Sequence, residues 1–143
     1  MKYYFLFAVF LFSVVGFSTL SANAQQTDTT KYILQNDTEV AKTEPGTHHG
    51  SGETIGYNFF GDVKNLKTIF RKRILKSGSS IGYHLQKEDE IYYVISGNGI
   101  MQMNDKTFPV KPGDAILTRP GSSHGIAPNK DNDLVILIVY EKK

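Results

Sequence analysis

The sequence predicts an all-β protein, a sandwich or barrel of short strands. Three observations carry that expectation. From Thr54 onward, runs rich in β-branched and aromatic residues, among them TIGYNFF, EIYYVIS and DLVILIVY, alternate with Gly, Pro and Asn punctuation. Their spacing, roughly eight to twelve residues, is that of strands joined by tight turns. No segment sustains an apolar period of 3.6 residues, so no helix is expected. Finally, Asn98-Gly99 suits a type I′ turn, in which both central residues take positive φ. It predicts a hairpin pairing Glu90–Ser96 with Ile100–Met103.

The N-terminus reads differently. Lys2 is followed by an apolar run from Tyr3 to Phe17, then by small residues ending in Ala22-Asn23-Ala24. A positive start, an apolar middle and an A-x-A site describe a secretory signal peptide over residues 1–24, cleaved to leave Gln25 first. No stable membrane anchor is expected after cleavage, and the destination is periplasmic or extracellular. With no cysteine anywhere in the chain, neither a lipid anchor on cysteine nor a disulfide framework is available. Residues 25–52 are rich in Thr, Gln, Asp and Gly and read as a flexible leader carrying one short edge segment. Residues 53–143 then form the barrel domain.

Sixteen basic residues face fourteen acidic ones. This near balance excludes nucleic acid or an anionic membrane as an obligate partner. The basic run from Lys64 through Arg71-Lys72-Arg73 is interleaved with Ile69, Phe70 and Ile74, and reads as the solvent side of a strand. No G-x-S-x-G, phosphate-binding loop or cysteine nucleophile is present, which disfavours serine or cysteine hydrolase chemistry.

The chemistry concentrates in HLQKEDE. His84 and Gln86 are two apart on a strand and share a face. Lys87-Glu88-Asp89 turns the chain, and Glu90 opens the next strand beside them. His124, after Pro120-Gly121, starts a later strand that can close the barrel at the same point. Two imidazoles, an amide oxygen and a carboxylate form a ligand set for a divalent first-row metal. The other reading is a polar, wet cavity with no ion in it.

The spacing Gly78-x5-His84-x-Gln86-x3-Glu90-x6-Gly97 resembles the first cupin motif, with Gln86 in place of its second histidine. Pro112-Gly113-Asp114, Gly121 and His124 resemble the second, with Arg119 where proline is expected and Asn129 one residue late. The resemblance implies a single-domain jelly-roll β-barrel of the cupin type. It also implies metal-ligand roles for His84, Gln86, Glu90 and His124. Gln is a harder ligand than imidazole, which favours Mn or Fe over Cu, with Zn and Ni also open. By analogy with the family, a homodimer is expected.

Three further residues are candidates for the substrate cavity: Tyr92, which shares the strand parity of Glu90; Arg119, beside the second motif; and His49, in a Gly/His loop. Each has a plainer reading, as a core tyrosine, an exposed strand-end arginine and a loop histidine. No catalytic residue is singled out. The function expected is an exported protein that binds a small organic molecule or acts on it through a metal. A non-catalytic binder of a sugar or an acid is the alternative.

Overall fold

The computed structural model describes residues 31–142, so the signal peptide expected over 1–24 lies outside the described residues. The chain forms a short helix α1 (Asp37–Val40), then strands β1 (Ala41–Pro45), β2 (Glu53–Phe59), β3 (Thr68–Leu75), β4 (Ile81–Leu85) and β5 (Glu90–Ser96). There follow β6 (Gly99–Met103), β7 (Lys106–Val110), β8 (Ala115–Thr118), β9 (Ser123–Pro128) and β10 (Leu134–Glu141). They make two antiparallel sheets, one of six strands in the order β1-β2-β3-β10-β5-β8 and one of four in the order β4-β9-β6-β7. The expected jelly-roll barrel is the observed architecture.

Alternation builds the core. In β5, Glu90, Tyr92 and Val94 are buried while Ile91, Tyr93 and Ile95 are exposed. Leu75, Val94 and Ile136 of the larger sheet close on Ile81, Met101 and Ile126 of the smaller. Each such side chain contributes about 1.5–3 kcal/mol on burial. Pro109 lacks a backbone N–H, and β7 tolerates it because that strand is an edge.

Four expectations need correction. The predicted hairpin does not form: β5 lies in the larger sheet between β10 and β8, whereas β6 lies in the smaller between β9 and β7. Neither Asn98 nor Gly99 has positive φ, so no type I′ turn exists there. The chain crosses between sheets instead, with Gly97 at φ +79 and the Asn98 carbonyl accepting from Asn129 N at 2.8 Å. The tight hairpin is one step later, at Asn104-Asp105, where Met103 faces Lys106 and Asn104 takes φ 50.

Second, the stretch read as a flexible leader is structured from α1 onward, and its edge segment is β1 rather than the apolar Tyr32–Leu34. β1 pairs with β2 from Ala41↔Tyr57 to Pro45↔Glu53, so the sheet begins before residue 53. Third, α1 is a single helical turn that the sequence did not announce. It forms through a capping box, Asn36 accepting from Thr38 N and Glu39 accepting from Asn36 N. An ion pair from Asp37 to Lys72 fixes it on β3.

Fourth, Arg73 is not on the solvent side. Like Leu75 it faces inward, 4% exposed. It donates to Thr54 Oγ1 at 2.6 Å and to Glu44 Oε2 at 3.0 Å, neutralising its charge while tying β1 and β2 to β3.

Gly97 tests the sheet crossover. A Cβ there would sit 2.0 Å from the Asp133 carbonyl oxygen, on a backbone already at positive φ. Gly97→Ala is expected to cost about 2–4 kcal/mol in urea unfolding. Gly113→Ala has positive φ but open space around it, and should cost only about 1–2 kcal/mol.

Candidate metal and ligand site

The site begins with a β-bulge. Ile81 faces Ile126 and His84 faces His124, so β4 carries one residue more than β9 over this interval. Strict alternation from the buried Ile81 would turn Tyr83 inward and His84 outward. The extra residue reverses this: Tyr83 is 50% exposed, and His84 faces the barrel directly across from His124. Gly82 lets the loop carrying His48 pack on the bulge, because a Cβ there would meet the His48 carbonyl oxygen at 2.1 Å. Beyond β4, Gln86 N donates to Ser122 O and Gly121 N donates to Gln86 O, holding Gln86 inward and buried.

The bulge also sets the tautomer of His84. Its Nδ1 lies 2.8 Å from Gly82 O. A carbonyl can only accept, so Nδ1 carries the proton and the lone pair of the neutral ring is on Nε2. His124 is fully buried, its Nε2 3.0 Å from the Tyr92 hydroxyl and 3.3 Å from Glu90 Oε2. Glu90 enters from the larger sheet, where its carbonyl accepts from Thr118 Oγ1. The ligand atoms offered by His84, Glu90 and His124 all lie within 4.8 Å of one another.

Two buried atoms of this cluster, Glu90 Oε2 and His124 Nδ1, have no hydrogen-bond partner. A buried carboxylate oxygen without a donor is costly, by about 1–3 kcal/mol or more. A divalent cation among these three side chains would supply the missing partner to Glu90, and the donor set of nitrogens and oxygen fits a first-row ion.

A cavity of about 360 Å³ opens beside the cluster, lined by His84, Gln86 and Glu90 together with His48, Lys87, Glu88 and Tyr140. His84, Glu90 and His124 thus come together, and Gln86 lines the same cavity as His84 and Glu90. The three cavity candidates fare otherwise. Tyr92 is 1% exposed and lies against His124, not on the cavity wall. Its hydroxyl is pushed well above the ordinary tyrosine range by burial and by the Glu90 carboxylate, so it stays protonated. Arg119 turns outward: its Nε donates to Asp89 at 2.7 Å and the side chain is 70% exposed. Asp89, expected as a bare turn residue, is what captures it. His49 does not line the cavity, whereas its neighbour His48 does.

Sequence reasoning singled out His49 of the Gly/His loop where His48 is the one that lines the cavity, and it did not find Tyr140. Tyr140 faces Glu90 across the β10–β5 pairing, a long-range register that no local pattern displays. The His48 ring stacks on His84, with centroids 3.5 Å apart and planes at 2°. Both rings are held below the ordinary imidazole pKa, in each case first by burial. The neighbouring His84 adds to the effect at His48, and His124 adds to it at His84, where the Gly82 carbonyl opposes it.

A cupin-domain family profile matches residues 72–140. An oxalate-binding protein of Thermotoga maritima is 40% identical over 78 residues, which are 54% of this chain and 64% of that protein. An uncharacterised protein of Methanocaldococcus jannaschii is 34% identical over 64 residues, 44% of this chain and 51% of that one. The chain thus spans less than two thirds of the length of these curated relatives. A solved Thermotoga maritima structure described as a predicted oxalate decarboxylase superposes with a TM-score of 0.69 at 30% identity. It covers 78% of this chain and all of that one. A two-sheet barrel with histidines and a glutamate meeting across facing strands defines a class, the cupins. This chain belongs to the cupin superfamily, in its small single-domain form.

The stacked histidines predict a pH dependence of the metal-free protein. Their folded pKa values lie below 6.5, so below 6.5 the unfolded chain binds more protons than the folded one. Stability is then full above that value and falls as pH drops through the window down to the folded values. Urea midpoints between pH 7.5 and 5.5 should fall, and fall less in His48→Phe.

Proposed function

We propose that this protein is an exported cupin that binds a divalent first-row metal and uses it to capture a small carboxylate, with oxalate the leading candidate. The observation that carries the reading is Glu90 Oε2, buried without a donor beside His84 and His124. The ligands are His84 through Nε2, Glu90 through a carboxylate oxygen and His124, with the Gln86 amide oxygen as the fourth. A bound ion would supply positive charge and Lewis acidity toward a carboxylate in this cavity, whose wall also carries Lys87 and Glu88.

The chain's own residues do the rest. Gly82 O holds the Nδ1 proton of His84 and so keeps Nε2 free as a base. The Tyr92 hydroxyl lies 3.0 Å from His124 Nε2, the nitrogen that also faces Glu90, and holds that ring in place. Lys87 stands on the cavity wall, where a cation favours an anionic ligand. Capture without turnover is the function we favour, since the likeness to an oxalate-binding protein supports it. The Tyr92 hydroxyl, made a poor acid by its raised pKa, also lies off the cavity wall. Export rests on the Lys2-led apolar run and the Ala22-Asn23-Ala24 site. N-terminal sequencing of the exported protein should begin at Gln25.

Elemental analysis and calorimetry test the reading together. The protein should carry about one first-row ion per chain, and oxalate should bind the loaded form and not the metal-free form. Glu90→Gln should lower metal affinity at least a hundredfold, and Gln86→Leu by about ten- to a hundredfold. Oxalate binding of equal strength with and without metal would defeat the proposal. Release of carbon dioxide from oxalate by the loaded protein would replace capture with turnover.

A further inference from the structure

His48 is placed with unusual care for a loop residue. It and His49 take φ values of 52 and 61, in the left-handed region that costs a non-glycine residue of order 1–3 kcal/mol and persists only where the surroundings enforce it. They do. Gly46 N donates to Gly52 O and closes the loop, and Thr47 O accepts from both Gly50 N and Gly82 N at 2.9 Å. Ser51 exchanges four hydrogen bonds with the segment before β4: its N to Ser80 Oγ, its Oγ to Gly78 O, its O from Ser80 N, and one between the two serine hydroxyls. The contact is too close for side chains, since a Cβ on Gly50 would lie 2.0 Å from Ser80 O. The loop is therefore part of the barrel wall, and it sets one imidazole flat on another.

That placement has two effects. The 3.5 Å stack covers one face of His84 and leaves its ring no room to swing out of the plane in which Nδ1 meets Gly82 O. His48 itself is exposed at its outer edge and lines the cavity. As a neutral imidazole it offers one N–H donor and one acceptor there.

We infer that His48 is a further recognition residue of this site, its ring clamping His84 in ligand geometry and its edge N–H donating to the carboxylate of a bound small acid. The inference rests on the metal-and-carboxylate reading of the cavity for its second half; the clamp stands without it. The two halves separate by chemistry. Phe retains a flat ring and loses the N–H, whereas Ala loses both.

The clamp is read first in the metal-free protein, by the NMR ring-proton shifts of His84. These carry the ring current of the stacked neighbour, should move downfield in His48→Ala and should stay upfield in His48→Phe. Cobalt(II) titration then gives metal affinity: His48→Phe should match the wild type within about twofold and His48→Ala should bind about tenfold more weakly. Oxalate titration of the cobalt-loaded proteins gives recognition: both variants should lose about tenfold, the worth of a hydrogen bond to a charged group. His49→Ala should change none of the three. Unmoved His84 shifts in His48→Ala overturn the clamp, and so does equal loss of cobalt affinity in Phe and Ala. Full oxalate affinity in His48→Phe overturns the donor role. A wild type that binds neither cobalt nor oxalate sinks the site reading and with it the donor role, while the His84 shifts still decide the clamp.

Discussion

Between Ile81 and His84, strand β4 places two residues where β9 places one, and the mouth of the barrel is built on that mismatch. The surplus residue lets a buried leading isoleucine and an inward histidine coexist three positions apart. It also leaves Gly82 with a carbonyl aimed at His84 Nδ1 and an N–H that is taken by Thr47 O. Orientation, tautomer and the contact with the His48 loop all follow from this one irregularity. A regular strand through the same residues would put Tyr83 in the cavity and His84 in water.

Charge is the second organising fact. Inside the barrel Glu90 is a buried acid, and Arg73 is a buried base already engaged by Glu44 and Thr54. The nearby imidazoles at positions 48 and 84 are driven toward neutrality. The carboxylate is left with His124 Nε2 at 3.3 Å as its nearby partner in a low-dielectric setting, where an incompletely paired charge is costly. A cation held by His84, Glu90 and His124 would balance that charge.

The fold class was legible because strand spacing and turn chemistry are written locally. The candidate cluster was legible for a related reason: His84 and Gln86 both reach the cavity, as their shared parity implies, and Glu90 begins the next strand. What escaped the sequence depends on which strands meet. Asn98-Gly99 has the local signature of a hairpin, yet the chain crosses there between sheets, because β10 and β8 claim both sides of β5. Arg73 reads as one more surface base until β1 brings Glu44 to it. His48 and His49 are indistinguishable as letters, and only the Thr47–Gly82 contact decides which ring reaches His84. Arg119 looks inward by position and is drawn outward by Asp89.

Gly82 joins two kinds of event that are usually separate. Through its N–H it holds a surface loop, and through its carbonyl it polarises the imidazole whose other nitrogen faces the cavity. Displacing the loop pulls on the residue whose carbonyl bonds His84 Nδ1, and a weaker bond there makes Nε2 a poorer electron donor. In this barrel a mechanical disturbance at the surface is thereby translated into a change of basicity at its centre, with a single glycine as the transducer.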